Sequence, residues 1–177
     1  TEMKILQDNL GQLSLKDKVS PSCSFQTSPK TLIELESKNS LQSAIRVGMP
    51  FVNIHDTDFD DAQILNTILG GYFGSRLMSN IREEKGFTYG IYSFINPILN
   101  HSYFCISTEV GAQFKKDTLK EIEFEINRLH NERISDEELS MVKNYMVGQL
   151  MKSVDGPLSM IGTLKNFLIF DLDLEVI

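Results

Sequence analysis

Apolar and polar residues alternate first at Ile45, Val47 and Met49, ahead of Pro50. A period of two with one apolar side is the mark of a strand half-buried on a core. Thr31 to Leu35 is also β-prone, so a preceding strand is expected there, with Asn39-Ser40 turning into the next one. The period then lengthens. A helix is expected from Asp58, where Asp58, Asp60 and Asp61 suit the positive end of the dipole. Ala62, Leu65 and Leu69 form its inward stripe, widened by Ile64 and Ile68, and Gly70-Gly71 stops it. A short helix over 75–85 turns Leu77 and Ile81 inward, and Gly86 takes the left-handed exit position. Thr88 to Ile95 and Tyr103 to Val110 then read as a hairpin turning at Asn96-Pro97.

The last third is helical. Leu119, Ile122, Ile126 and Leu129 recur at helical spacing, and Ser135 followed by Glu138 forms a capping box. The helix it opens carries Leu139, Val142, Met146 and Leu150; Gly156-Pro157 breaks it, and a further helix is expected from Met160 to Phe170. This order of elements implies an α+β fold: a largely antiparallel sheet with helices packed on one face. Residues 1–29, punctuated by Ser20-Pro21 and Ser28-Pro29, read as the end of a preceding helix and a linker; residues 30–177 read as the domain. The absence of an initial Met raises the expectation of an excised fragment, with Ile177 either ending the domain or truncating it.

Composition narrows the function classes. The 177 residues are 41% hydrophobic, enough for a core, with no apolar run of membrane-spanning length. The net charge of −7 comes without any basic cluster beyond pairs such as Lys115-Lys116, so nucleic acid is an unsuitable partner. Cys23 and Cys105 match no Cys-x-x-Cys pattern, and Cys105 reads as a small buried strand residue rather than half of a disulfide. No apolar signal-peptide core is visible, and the compartment stays open between cytoplasm and periplasm.

No complete catalytic set can be assembled from the residues alone. Catalytic zinc takes about three protein ligands, yet His55, His101 and His130 include no pair at helical i, i+4 spacing. His55-Asp56-Thr57-Asp58 reads as a polar turn feeding a helix; His101 and His130 read as solvated turn and helix-end residues. Gly74-Ser75 lacks the frame of a nucleophile elbow, and Gly70-Gly71-Tyr72-Phe73-Gly74 joins two helices rather than following a strand as a phosphate loop does.

The informative segment is residues 70–93, which runs Gly-Gly-Tyr-Phe-Gly-Ser-Arg-Leu and then Ile-Arg-Glu-Glu-Lys-Gly-Phe-Thr-Tyr. It closely resembles the signature of the C-terminal half of pitrilysin/insulinase-type zinc metallopeptidases, in particular their processing-peptidase-like branch, with Ile81 in place of a Leu. In that family a zinc-bearing half carries an inverted His-x-x-Glu-His motif, and a second half closes over the substrate. The resemblance implies that Arg82 binds the peptide backbone near the scissile bond and that Tyr89 hydrogen-bonds the carbonyl oxygen as it becomes an oxyanion. Ser75 and Arg76 match the motif as well, with a structural task at the start of the helix. Zinc is expected on a partner domain or subunit, with no cofactor in this chain.

These residue types suit that chemistry. A rigid, permanently charged guanidinium and a neutral phenol are both donors that can be fixed before charge develops on a carbonyl. The ordinary fates of such residues are a solvated or paired surface Arg, here beside Glu83 and Glu84, and a Tyr packed in or at the rim of a core. Tyr92 and Phe94 are packing candidates. The reading is thus a substrate-binding half of a zinc endopeptidase, inactive alone. The alternative is a scaffold using the fold for assembly, as relatives do in respiratory complexes; an unrelated α+β binding module is a third. A His-x-x-Glu-His motif in neighbouring sequence would separate the first two.

Overall fold

The computed structural model describes residues 1–13, 32–36, 40–99 and 101–173. Two compact units are present, Thr1–Glu34 and Leu35–Ile177. The first contains helix α1, Glu2–Leu10, none of whose residues is buried. Cys23, the Ser-Pro pairs, Asn39 and Ile177 lie outside the described residues.

The second unit holds an open antiparallel sheet in the order β1-β3-β2, formed by β1 (Gln42–Phe51), β2 (Thr88–Ile98) and β3 (His101–Gly111). Ile45, Ile91, Ile106 and Val110 face the helices and join Leu69, Leu77, Met78, Ile81 and Ile122 in the main core. Burial of such aliphatic side chains is worth roughly 1.5–3 kcal/mol each and fixes the face each strand presents. Residues 32–36 are exposed and form no strand, which corrects the expected element there. Strand β1 runs through Pro50 instead of ending before it. It is an edge strand, where a missing N–H breaks no inner ladder. The hairpin turns later than expected, at Leu99 (φ 50°), because Asn96 and Pro97 stay paired with Tyr103 and Ser102.

Helix α2 (Phe59–Asn66) is prolonged by a π-helical turn, Thr67–Gly71. Ile68 and Leu69 are buried in this turn, whereas Leu65, expected inside, lies before it and is exposed. Gly70 is required by proximity: a Cβ there would stand 2.6 Å from both the amide nitrogen and the hydroxyl of Ser93 on β2. A second π-helical segment, Met78–Glu84, follows Arg76 and Leu77, with Lys85 N–H reaching back to the Asn80 carbonyl at 3.0 Å. Gly86 exits at φ +66°, and its left-handed turn delivers the chain straight into β2.

Three helices complete the unit: α3 (Lys115–Asn131), entered through a 3₁₀ turn at Ala112–Phe114, then α4 (Asp136–Ser153) and α5 (Pro157–Phe170). On α3 the core face is Thr118, Ile122 and Glu125; Ile126, expected inside, is exposed. Ser135 caps α4 by accepting from the Glu138 amide at 3.1 Å, but the reciprocal half of the capping box is absent because the Glu138 carboxylate is engaged by Arg76. Val142 is buried on α4, whereas Leu150, expected in the same stripe, is exposed. No residue of α5 is buried.

Candidate functional site

Arg82 and Tyr89 are joined through the main chain. The Arg82 Nε–H donates to the Tyr89 carbonyl at 3.0 Å, and the guanidinium lies over the Phe73 ring, 4.6 Å from its centroid. Glu83 stands 3.6 Å from Nη1. Stacking on an aromatic face and one hydrogen bond from the Nε edge hold the fork without burying it. Phe73, in the glycine-rich loop, had no role in the sequence reading; no helical or strand spacing links it to Arg82, and only the folded loop brings the two together.

The Tyr89 side chain is 94% exposed. Strict alternation along β2 would put it on the same side as Ile91, Ser93 and Ile95, all buried. It escapes because the register slips: Thr88 pairs with Val110 and Ile91 with Thr108, so Tyr89 and Gly90 together face the single residue Glu109. This β-bulge takes the phenol off the buried face and leaves it exposed. Tyr92 and Phe94 are also exposed rather than packed in the core, with Phe94 edge-on to Tyr103 at 6.1 Å.

The other end of the same helical segment is anchored. Arg76 makes a bidentate pair with Glu138 of α4, at 2.8 and 2.7 Å. That bond, more than the neighbouring charges, holds the Glu138 carboxyl below the ordinary glutamate value and raises Arg76. Asn80 donates to both Glu121 and Glu125 of α3, at 3.0 and 2.7 Å, and the buried Glu125 also receives Arg128 at 3.1 Å. A cleft of about 630 Å³ opens beside this network, lined by Arg76, Asn80, Glu121, Glu125 and Arg128; neither Arg82 nor Tyr89 lines it. Arg76 with Glu138, Arg128 with Glu125, and Lys85 with Glu121 form ion pairs along it, which suits a structural joint.

The histidines and Cys105 fall in ordinary places. The His55 amide donates to Asn53 Oδ1 in the turn before α2, and His130 is exposed near the end of α3. His101 is the first residue of β3, not part of the turn. Cys105 is a buried free thiol whose pKa burial pushes up. Among the described residues no three His, Cys, Asp or Glu side chains converge as metal ligands, so they do not fit a zinc site. Among them, too, no helix is long and apolar enough to cross a membrane.

An open antiparallel sheet backed by helices is the architecture of an inactive domain of zinc-peptidase type. The family model for the peptidase M16 inactive domain matches residues 3–146, and the chain belongs to that family. It is similar to YmxG of Bacillus subtilis, described as an uncharacterized zinc protease, at 28% identity over 118 residues, 67% of this chain and 29% of that protein. A Helicobacter pylori relative, described as the non-peptidase homolog YmxG, is 27% identical over 156 residues, 85% of this chain and 35% of the relative. The solved peptidase M16 inactive domain from Pseudomonas fluorescens superposes with a TM-score of 0.70 at 28% identity, over 77% of this chain and 33% of that one. The chain thus spans about three-tenths of the length of the curated relatives it matches.

Proposed function

We propose that this domain grips a peptide and polarises its scissile carbonyl while a zinc-bearing domain or subunit performs the hydrolysis. Residues 1–29 then serve as the connecting segment and 30–177 as the gripping domain. The Nε edge of Arg82 is spent on Tyr89, which leaves the Nη edge to a substrate main-chain carbonyl. The Tyr89 phenol donates to the carbonyl oxygen as negative charge grows there, a role in which one fixed donor is worth about 3–4 kcal/mol. The observation that carries this reading is the exposure of Tyr89. A large aromatic side chain is turned out of the core by a bulge, and a neighbouring guanidinium secures its main chain.

The test is Tyr89→Phe in the complete peptidase assembled with its zinc half. The expected result is a fall in kcat of about two orders of magnitude with KM little changed, because the bond forms in the transition state. Unchanged activity would overturn the reading. A second reading, an assembly domain without peptidase work, is favoured by the description of the Helicobacter pylori relative as a non-peptidase homolog. It predicts no peptide hydrolysis by the complete assembly, whichever residue stands at position 89.

A further inference from the structure

The bulge that presents Tyr89 is built on two threonine hydroxyls. Thr88 Oγ1 accepts from the Gly90 amide at 3.1 Å and lies 2.7 Å from the Glu109 carbonyl on β3. Thr108 Oγ1 lies 2.9 Å from the Gly90 carbonyl and 3.0 Å from Thr88 Oγ1. Each hydroxyl has one hydrogen: Thr88 donates to Glu109, its shortest contact, and accepts from the Gly90 amide, and Thr108 donates to the Gly90 carbonyl, which also lies 2.9 Å from Thr88 Oγ1. Both polar groups of Gly90 and the facing carbonyl are satisfied by hydroxyls where an extra residue breaks the ladder. Next along the strand, the Ile91 amide meets the Met78 sulfur at 3.4 Å, so the core also secures the far side of the bulge. The near side is held by Arg82 on the Tyr89 carbonyl. The exposed ring itself has no packing to fix it, so its direction depends on the main chain.

We infer that Thr88 and Thr108 are positioning residues for Tyr89, locking the bulge whose two residues point the phenol at the substrate carbonyl. The inference rests on the proposed peptidase role of Tyr89. Without the hydroxyls, Gly90 loses both partners, and the segment can slip back toward regular pairing. That slip would rotate Tyr89 to the buried face, since a one-residue shift exchanges the two sides of a strand.

The experiment compares Thr108→Val, Thr88→Val and the hydroxyl-keeping Thr108→Ser in the complete peptidase with its zinc half. Hydrolysis is measured together with hydrogen exchange at the Gly90 amide. Each Val variant should lower kcat by about tenfold to a hundredfold, the cost of misplacing a catalytic group by about 1 Å, with KM within about twofold. Gly90 exchange should quicken in the Val variants, Thr108→Ser should behave as the parent, and Thr108→Val should lower kcat no further in a Tyr89→Phe background. The inference is overturned if Tyr89→Phe lowers kcat while both Val variants keep parental kcat and exchange. It is equally overturned if Thr108→Val costs as much in the Phe background as in the parent, which would mark a general loss of structure. If Tyr89→Phe itself changes nothing, the peptidase reading falls and takes the positioning role with it. Fragile folding in a Val variant is recognised by exchange quickening throughout the sheet; Thr108→Ser then decides, and loss of kcat in that variant counts against the inference.

Discussion

Arg76 opens one short helical stretch and Arg82 lies near its end, and the two guanidiniums have different surroundings. The Arg76 side chain is 9% exposed and both of its bonds to Glu138 are short; Arg82 is 34% exposed, rests on Phe73, and has a carboxylate only at 3.6 Å. Around Arg76 the charges satisfy each other across three helical elements, including the buried Glu125. Around Arg82 the hydrogen bond goes to main chain, and the nearby carboxylate, Glu83, forms a long, half-exposed pair. A guanidinium so loosely compensated keeps part of its fork open to a ligand. One held by a short bidentate pair serves to hold elements together.

The largest way to sharpen that contrast is to remove the anchor. Arg76→Ala strips Glu138 of its partner at a largely buried site and should cost about 3 kcal/mol of stability, measured by urea unfolding. A loss below 0.5 kcal/mol, the ~ scale of an ordinary surface change, would show that the pair holds nothing. Arg82→Ala should do the reverse. Its stability change should stay within about 1 kcal/mol, since exposed ion pairs contribute little. In the zinc-competent assembly, kcat/KM should fall by about two orders of magnitude, because the proposed substrate contact and the hold on Tyr89 would both be lost. Arg82→Lys should recover little of this, as an ammonium offers no second edge. If Arg82→Ala instead melted the domain and Arg76→Ala silenced a stable one, the assignment of the two arginines would have to be exchanged.

Much of this arrangement was legible in the residues, and the failures have physical causes. Apart from the strand expected at Thr31 to Leu35, the order of strands and helices followed from periodicity, and Gly86 marked a left-handed exit because few other residues tolerate it. The segment 70–93 pointed to Arg82 and Tyr89 through resemblance, not through any local rule. A 3.6-residue period sends Leu65 and Ile126 inward, but Leu65 is exposed beside the buried Ala62 and Leu69, and on α3 the inward position belongs to Glu125. A carboxylate is an improbable core residue until its partners are known, and Asn80 lies far from it in sequence. The bulge was hidden for a similar reason. Only the register against β3 reveals the extra residue, and a single strand read alone cannot show that Tyr89 leaves the face its spacing assigns.

The smallest expected effect tests the anchor by pH. Arg76 holds the Glu138 carboxyl below the ordinary glutamate value, mainly through their hydrogen bond. A carboxylate whose folded pKa is lowered binds a proton more readily in the unfolded chain. The stability it contributes is therefore complete above the unfolded value and fades as pH falls through the folded one. Glu138 is partly exposed, so the share it carries is modest. Glu138→Gln keeps the shape and one acceptor oxygen but cannot titrate. Its unfolding free energy should therefore fall less steeply with acid than the parent's, over the range below the ordinary glutamate value. At neutral pH the variant should be the less stable of the two, and the curves should converge as the parent's carboxylate is protonated. Parallel curves across that range would mean that the Arg76 pair makes no proton-linked contribution. Arg76 would then differ from Arg82 in burial alone, and the contrast between anchored and working ends would have to rest on packing.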